Sequence, residues 1–146
     1  MTMRINMNVA KFKEELRATA AELGRATRPA AQAGAQIIYD RAKSIASTIK
    51  SEKPHKFYGT HGVYGPFTPG TLARSIYQAF SKDNSYSDVS TYHISWNADE
   101  APYGGMVEFG TSHSPAQSFI GRAVKETRSS VREAIKQRFI DEVSRK

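Results

Sequence analysis

The sequence predicts an α+β protein in which two N-terminal helices and a long C-terminal helix pack on a small, mainly antiparallel sheet. Apolar residues recur at three- and four-residue steps before residue 50 and after residue 118, which is typical of amphipathic helices. Between residues 86 and 96 polar and apolar residues alternate, as in a half-buried strand. A length of 146 residues suits one domain, spanning 1–146, with a real core.

The composition narrows the class of protein. The chain is 39% hydrophobic and 24% charged, as is usual for a soluble globular domain. It has no apolar run of about 20 residues and no apolar leader at its start, so we expect neither a membrane span nor secretion. There are no cysteines, which excludes disulfides and thiolate sites and fits assembly in a reducing cytoplasm.

The net charge of +7 is unevenly distributed. Residues 81–120 carry five acidic residues and one lysine, whereas residues 121–146 carry eight basic and four acidic residues. A basic protein is a candidate for nucleic-acid binding. A chain with a basic part and an acidic part is equally a candidate for self-association, because one copy's positive face can meet another's negative face. The charges leave both interpretations open.

The first helix is expected over residues 8–24, with Asn8 as its N-cap and Gly24 as its end. A second helix is expected to start near Pro29, which suits a first helical position, and to run to about Lys50. The small residues of 29–36 ("PAAQAGAQ") would let another backbone approach closely.

Residues 53–70 are predicted to be a long loop. The segment contains four glycines, three prolines and four aromatic residues without periodicity. Loops of this length are usually functional or disordered, and disordered segments are poor in aromatics. We therefore expect a loop that becomes ordered against a partner through Phe57, Tyr58, Tyr64 and Phe67.

The remaining elements follow in order. Leu72 and Ile76 indicate a short helix or a turn leading into a strand, and residues 82–85 form a turn. In the predicted strand 86–96, Tyr92, Ile94 and Trp96 share one face. A short apolar element surrounds Glu108. The segment with the clearest helical periodicity in the chain runs from about Ser118 to Val143.

The last helix has an apolar stripe and, beside it, a basic stripe when residues are placed at 100° intervals. The basic stripe is Arg122, Lys125, Arg128, Arg132 and Lys136. It is either a solvated face or a docking face for an acidic partner, and the pattern alone does not decide between them.

The search for catalytic chemistry yields no candidate. The four histidines form no His-Glu-x-x-His pair, "GTHGVYG" lacks the Gly-Lys-Ser/Thr ending of a phosphate loop, and "GTSHSP" is no nucleophile elbow. We therefore expect no catalytic residue, no metal and no cofactor. Glu108 is expected to be a partly buried anchor for the Gly-Thr turn at 110–111 and not a catalyst, since an unpaired buried carboxylate is costly. Its expected donors are the turn amides, Thr111 or an arginine, with Val107 and Phe109 in the core and Gly110 in a left-handed turn.

The segment "APYGGMVEFGTSHSPAQSFIGRAV" resembles the signature of the tail-completion proteins of long-tailed, non-contractile phages, the minor tail protein Z type. The matching residues are Tyr103, Glu108, Phe109, Gly110, Thr111, Phe119 and Ala123. Upstream, "TPGTLARSI" resembles the family's Gly-x-Leu-x-x-Ser-Ile element through Gly70, Leu72, Ser75 and Ile76. The chain departs from the pattern where "YGG" replaces Tyr-Ala and "QSF" replaces Pro-Phe.

The resemblance implies a virion structural protein without catalytic activity, assembled in the host cytoplasm. It implies a homo-oligomeric, hexameric ring at the head–tail junction, packed against a tail terminator or the head-side connector. It leaves room for non-specific contact with DNA in the lumen. The alternatives from the residues themselves are a small basic nucleic-acid-binding protein and, third, a small hydrolase.

Overall fold

The computed structural model of the protein describes residues 8–49 and 52–145. Two long helices lie near the ends of the chain, and short helices and two hairpins lie between them. The elements in chain order are α1 (Val9–Thr48), β1 (His55–Gly59), β2 (Gly62–Phe67), α2 (Thr71–Ser75), β3 (Ile76–Ser81), β4 (Thr91–Trp96), α3 (Gly104–Phe109) and α4 (Phe119–Ser144). The predicted α+β class and the long C-terminal helix are therefore confirmed.

The prediction of two N-terminal helices is wrong, because α1 is one helix of 40 residues. Asn8 does cap it, and its side chain accepts a hydrogen bond from the Lys11 amide at 3.2 Å. Pro29 lies inside the helix, where proline costs about 3 kcal/mol. Ala26 and Ala30, on either side of it, are both buried, so packing along this face outweighs that cost. The predicted end at Lys50 lies outside the described residues.

The principal packing in the molecule is between α1 and α4, which run antiparallel. Gly34 of α1 lies where an added Cβ would be 2.7 Å from the Cδ1 atom of Ile135. Further along, the Arg41 guanidinium Nε donates to the Glu126 carboxylate at 2.7 Å. The small residue at position 34 thus makes room for the side chains of Ile135 and Val131, rather than for another backbone as the sequence predicts. The C-terminal helix thus packs chiefly on another helix rather than on a sheet.

The core lies between α1, the start of α4 and the segment that joins α2 to β3. Phe119 and Leu72 are its largest fully buried side chains, and Trp96 packs edge-on against Phe119 with ring centroids 5.7 Å apart. Burying a side chain of this size stabilises a fold by about 1.5–3 kcal/mol. The core cluster comprises Ala42, Ile45, Ala46, Leu72, Ala73, Ile76, Ala101, Phe119 and Ala123.

The strands form two separate two-stranded antiparallel sheets instead of the single small sheet that the sequence predicts. β3 pairs with β4 in a regular register from Ile76 opposite Trp96 to Ser81 opposite Thr91. The strand predicted over 86–96 begins only at residue 91, because residues 82–90 form a closed loop. In that loop the Tyr86 amide donates to the Val89 carbonyl at 2.7 Å.

The prediction of an irregular loop over residues 53–70 is wrong, since β1 and β2 form a hairpin there. Gly59 pairs with Gly62 on either side of a two-residue turn, and Gly62 has a φ of 134°. Gly65, with a φ of 104°, lies in β2, and the register shifts between His55 and Phe57. The glycines supply turn geometry that other residues rarely adopt, rather than the flexibility that the composition indicates.

Candidate protein–protein interface

Glu108 anchors the start of α4 to α3. Only 7% of its surface is exposed. Its Oε2 atom accepts from the Ile120 amide at 2.9 Å, and its Oε1 atom accepts from the Gly121 amide at 2.9 Å and the Ser118 hydroxyl at 2.8 Å. The first amides of a helix have no partner within it, so a carboxylate here acts as a cap supplied by a distant residue. The predicted burial of Glu108 is confirmed, but the prediction that it anchors the Gly-Thr turn is wrong, because its partners lie at the start of α4.

The electrostatics of Glu108 follow from these contacts. Burial raises the pKa of the carboxyl group, but the amides of Ile120 and Gly121 and the Ser118 hydroxyl stabilise the charged form more strongly. The net result is a pKa lowered below the usual value of a glutamate. A carboxylate that stays charged and fully hydrogen-bonded suits a structural cap and not a proton-transfer group.

The prediction of which groups donate hydrogen bonds to Glu108 is wrong. Thr111 does not reach it; the Thr111 hydroxyl accepts instead from the amides of His113 and Ser114, at 3.2 and 3.1 Å. The actual donors, Ser118 and two amides of α4, were missed, although a serine directly before a helical pattern is a signal for a helix start. Gly121 permits the approach, because a Cβ there would lie 2.5 Å from the Ser118 hydroxyl.

The two apolar neighbours of Glu108 have different environments. Val107 packs against the core, as predicted, but Phe109 is 78% exposed and the prediction that it is buried is wrong. The reason is geometric, since α3 is helical and successive side chains diverge by about 100° around its axis. Gly110 ends α3 with a φ of 76° and a ψ of 177°, so the turn has the positive φ that favours glycine but not the left-handed helical conformation that the sequence predicts.

The basic stripe of α4 is exposed along its length, and its members have different surroundings. Arg122 lies 3.4 Å from Glu126, which is also bound to Arg41 of α1. The hydrogen bond from Arg41 is the main cause that lowers the pKa of Glu126. Lys125, Arg128 and Arg132 form no ion pair within the described part of the chain and line a groove instead. Lys136 lies further along α4.

This groove runs between α1 and α4 and has a volume of about 490 Å³. Apolar side chains from both helices form much of its surface, and Lys125, Arg128 and Arg132 also line it. The apolar lining residues are Ile38, Val124 and Val131, with Gly121 at one end. The groove therefore combines apolar surface with unpaired positive charge.

The aromatic residues of the hairpin divide between a packed set and an exposed one. Phe67 and His55 pack against Tyr103, with ring centroids 5.1 and 4.9 Å away. Phe57 packs against Tyr64, at 5.9 Å, within the hairpin. Tyr58 is 74% exposed. Contacts within one chain thus account for part of the order that we expected from a partner.

Tyr103 attaches this hairpin to the rest of the domain. Its hydroxyl also lies close enough to the backbone of Leu72, a core residue, to affect the pKa of the hydroxyl. Burial raises the pKa of the Tyr103 hydroxyl, and this effect exceeds the opposing ones of the Leu72 backbone and the Arg74 charge. No local pattern in the sequence indicates that Tyr103 links these two segments.

A large apolar surface lies on the first half of α1. Val9, Phe12 and Leu16 are each about half exposed, and Leu23 is exposed as well. They recur at three- and four-residue steps, so they form one stripe, named here the N-terminal stripe. The sequence pattern identified the stripe, but an amphipathic pattern cannot show whether its apolar side faces its own core or a partner.

The histidines do not form a site. His61 lies in the hairpin turn, His93 is exposed on β4 and His113 lies in the loop before α4. Among the described residues, no three His, Asp or Glu side chains converge where they could share a metal ion. Within residues 8–49 and 52–145, none of the helices combines the length and apolar character that crossing a bilayer requires.

Comparison with known proteins finds no relative of this chain. The chain matches no protein-family model, no curated protein sequence and no solved structure. The function is therefore argued from its surfaces and from the resemblance of its motifs.

Proposed function

We propose that this protein is a virion structural component of the head–tail junction of a long-tailed phage. In this role it forms a ring that completes the tail and joins it to the head connector or the tail terminator. The observation that carries the proposal is the N-terminal stripe, where Val9, Phe12 and Leu16 leave an apolar helix face exposed. Exposed apolar patches are typical of surfaces that bind another protein or a membrane. The resemblance to tail-completion proteins favours a protein partner.

The positions of the motif residues support the resemblance to tail-completion proteins. Leu72, Ser75 and Ile76 of the first motif are buried beside Phe119 and Ala123 of the second. Glu108 binds the start of α4 through three hydrogen bonds. The two short motifs thus meet in one structural unit, as expected if they belong to one signature rather than to two chance matches.

The proposal is tested on phage particles purified from host cells that express the gene for this chain. Mass spectrometry should detect the chain in purified particles, and labelling of an epitope at its C-terminus should place it at the head–tail junction. Deletion of the gene should leave separate heads and tails, and the wild-type gene supplied in trans should restore joined particles. Joined, infective particles that form without the chain would exclude the proposal.

Nucleic-acid binding is the second candidate, favoured by the exposed and unpaired Lys125, Arg128 and Arg132. A protein that binds through such charges loses affinity steeply as salt increases. Electrophoretic mobility shifts of duplex DNA at low and high salt distinguish this candidate from the ring protein. A steep salt dependence with no incorporation into particles would favour it.

A further inference from the structure

We propose that the groove between α1 and α4 receives the 82–90 loop of a second copy of this chain. The inference deepens the proposed ring function and rests on it, since it names the two surfaces through which neighbouring copies meet. The groove is the one lined by Ile38, Val124 and Val131 together with Lys125, Arg128 and Arg132.

The chemistry of the 82–90 loop complements that of the groove. Its apolar side chains are turned to solvent, with Tyr86 70% and Val89 45% exposed. Its two carboxylates, Asp83 and Asp88, are exposed, form no ion pair among the described residues and outnumber the one cation of the loop, Lys82. The unpaired negative charges of the loop can face the unpaired positive charges of the groove, and the exposed apolar side chains of the loop can contact the apolar lining of the groove.

The loop is held in one conformation by its own hydrogen bonds. Two backbone bonds join Tyr86 and Val89, at 2.7 and 3.4 Å. The Ser85 hydroxyl donates to the Ser81 carbonyl at 2.5 Å and accepts from the Thr91 amide at 2.9 Å. A loop that is already ordered loses little conformational entropy on binding, so its few side chains suffice to recognise a groove.

The occupant must come from another molecule. The Ser87 carbonyl of the loop lies directly against Gly24 of α1, at a position where no side chain would fit. Gly24 and Ile38 are separated by roughly 21 Å along α1, at 1.5 Å per residue. A loop packed at the first position does not reach the groove at the second. If each copy gives its loop to one neighbour and receives the loop of another in its groove, the contact is head-to-tail, which is the kind of contact that generates rings.

Engineered cysteines test this contact directly, because the natural chain contains none. The full-length variants Val89→Cys, in the loop, and Val124→Cys, in the groove, are mixed and oxidised. We expect a disulfide-linked dimer in the mixture and none, or far less, with either variant alone. The double variant should give a ladder of covalent oligomers that ends at the ring size. The control replaces Val89→Cys by Val63→Cys, a valine in the hairpin that is even more exposed than Val89.

Charge exchange provides a second readout. The groove variant Arg128→Glu with Arg132→Glu, and the loop variant Asp83→Lys with Asp88→Lys, should each weaken cross-linking by at least about tenfold. Combining both pairs in one chain should restore it. Asp99→Lys with Glu100→Lys, the acidic pair of a different turn, should have no effect. Circular dichroism of each variant checks that the fold is retained.

The outcomes separate this inference from the proposed function. Cross-linking of Val89→Cys with Val124→Cys no greater than that of the control, or no rescue by charge exchange, would overturn the contact. Such a failure leaves the location in the virion neck to be decided by particle analysis alone. A specific cross-link in a chain that is absent from particles would support the contact and exclude the neck function.

Discussion

At the scale of single residues, Glu108 has the clearest role. Its carboxylate satisfies two amides at the start of α4 and the Ser118 hydroxyl. Glu108→Ala leaves these buried donors without an acceptor, which costs about 1–3 kcal/mol. We expect a matching loss in the free energy of unfolding by urea, and a smaller one for Glu108→Gln, which keeps one acceptor oxygen. Glu133→Ala, at an exposed site on α4, is the control, and equal losses for both alanine variants would contradict the capping role.

The same carboxylate predicts a dependence of stability on pH. Because the pKa of Glu108 is lowered in the folded state, its contribution is fully present above the unfolded pKa of about 4.3. It is lost as the pH falls through the lower, folded-state pKa. The difference in unfolding free energy between wild type and Glu108→Ala should therefore shrink on acidification below about pH 4.3. A difference that stays constant across this range would show that the charge of Glu108 does not matter.

Gly104 gives a second prediction at this scale. A Cβ at this position would lie 2.6 Å from the Cδ1 atom of Trp96, a ring that is itself packed against Phe119. Gly104→Ala should therefore destabilise the protein by about 1–3 kcal/mol through overpacking. Gly105→Ala is the matched control, because its Cβ would lie 3.7 Å from the same ring. Thermal unfolding followed by the fluorescence of the single tryptophan measures both, and equal stabilities would contradict the prediction.

Gly104 also illustrates what the sequence could not provide. The resemblance to tail-completion proteins marks this position as a departure, where glycine replaces alanine, but gives no cause. The cause is a contact with Trp96 from a different element, and such contacts leave no local pattern. Glu108 was identifiable because apolar neighbours and a following glycine surround it in sequence, whereas its donors lie ten or more residues away.

At the scale of elements, local patterns predicted the long helices better than the segments rich in glycine and proline. The periodicity of α4 gave its bounds to within one or two residues. In α1, Pro29 and Gly24 are strong local signals for a break, yet packing of Ala26 and Ala30 overrides them. In the hairpin, Gly62 and Gly65 adopt positive φ angles that the backbone requires there. A high glycine content alone does not distinguish this role from disorder.

The prediction at the scale of elements concerns the contacts that keep the hairpin of β1 and β2 ordered. A two-stranded sheet is marginally stable alone, so its order depends on the contacts of Tyr103 with His55 and Phe67. Tyr103→Ala should increase amide hydrogen exchange across residues 55–67 and have less effect on exchange in α4. Tyr103→Phe keeps the ring contacts and should retain most of the protection. Unchanged exchange in Tyr103→Ala would show that other contacts hold the hairpin in place.

At the scale of the whole molecule, the described structure leaves several surfaces without partners. The N-terminal stripe, Tyr58 of the hairpin and Phe109 at the end of α3 are all exposed. The uneven charge visible in the sequence corresponds to an exposed acidic loop and an exposed basic groove. The sequence could indicate that such faces exist, but not which apolar residues face solvent, since that depends on how far α4 extends along α1.

The last prediction concerns the N-terminal stripe. Replacing Phe12 and Leu16 with serine removes apolar surface that is already about half exposed, so the fold should lose little stability. If the stripe binds a neighbouring copy or another neck protein, the double variant should lose assembly while its thermal unfolding stays close to wild type. The matched control is Lys13→Ser with Arg17→Ser, exposed residues on the same helical segment. Sedimentation of the purified chain and recovery of joined particles measure the two effects. Normal assembly of the Phe12 and Leu16 variant would show that the stripe binds no neck partner, and would remove the observation on which the proposed function chiefly rests.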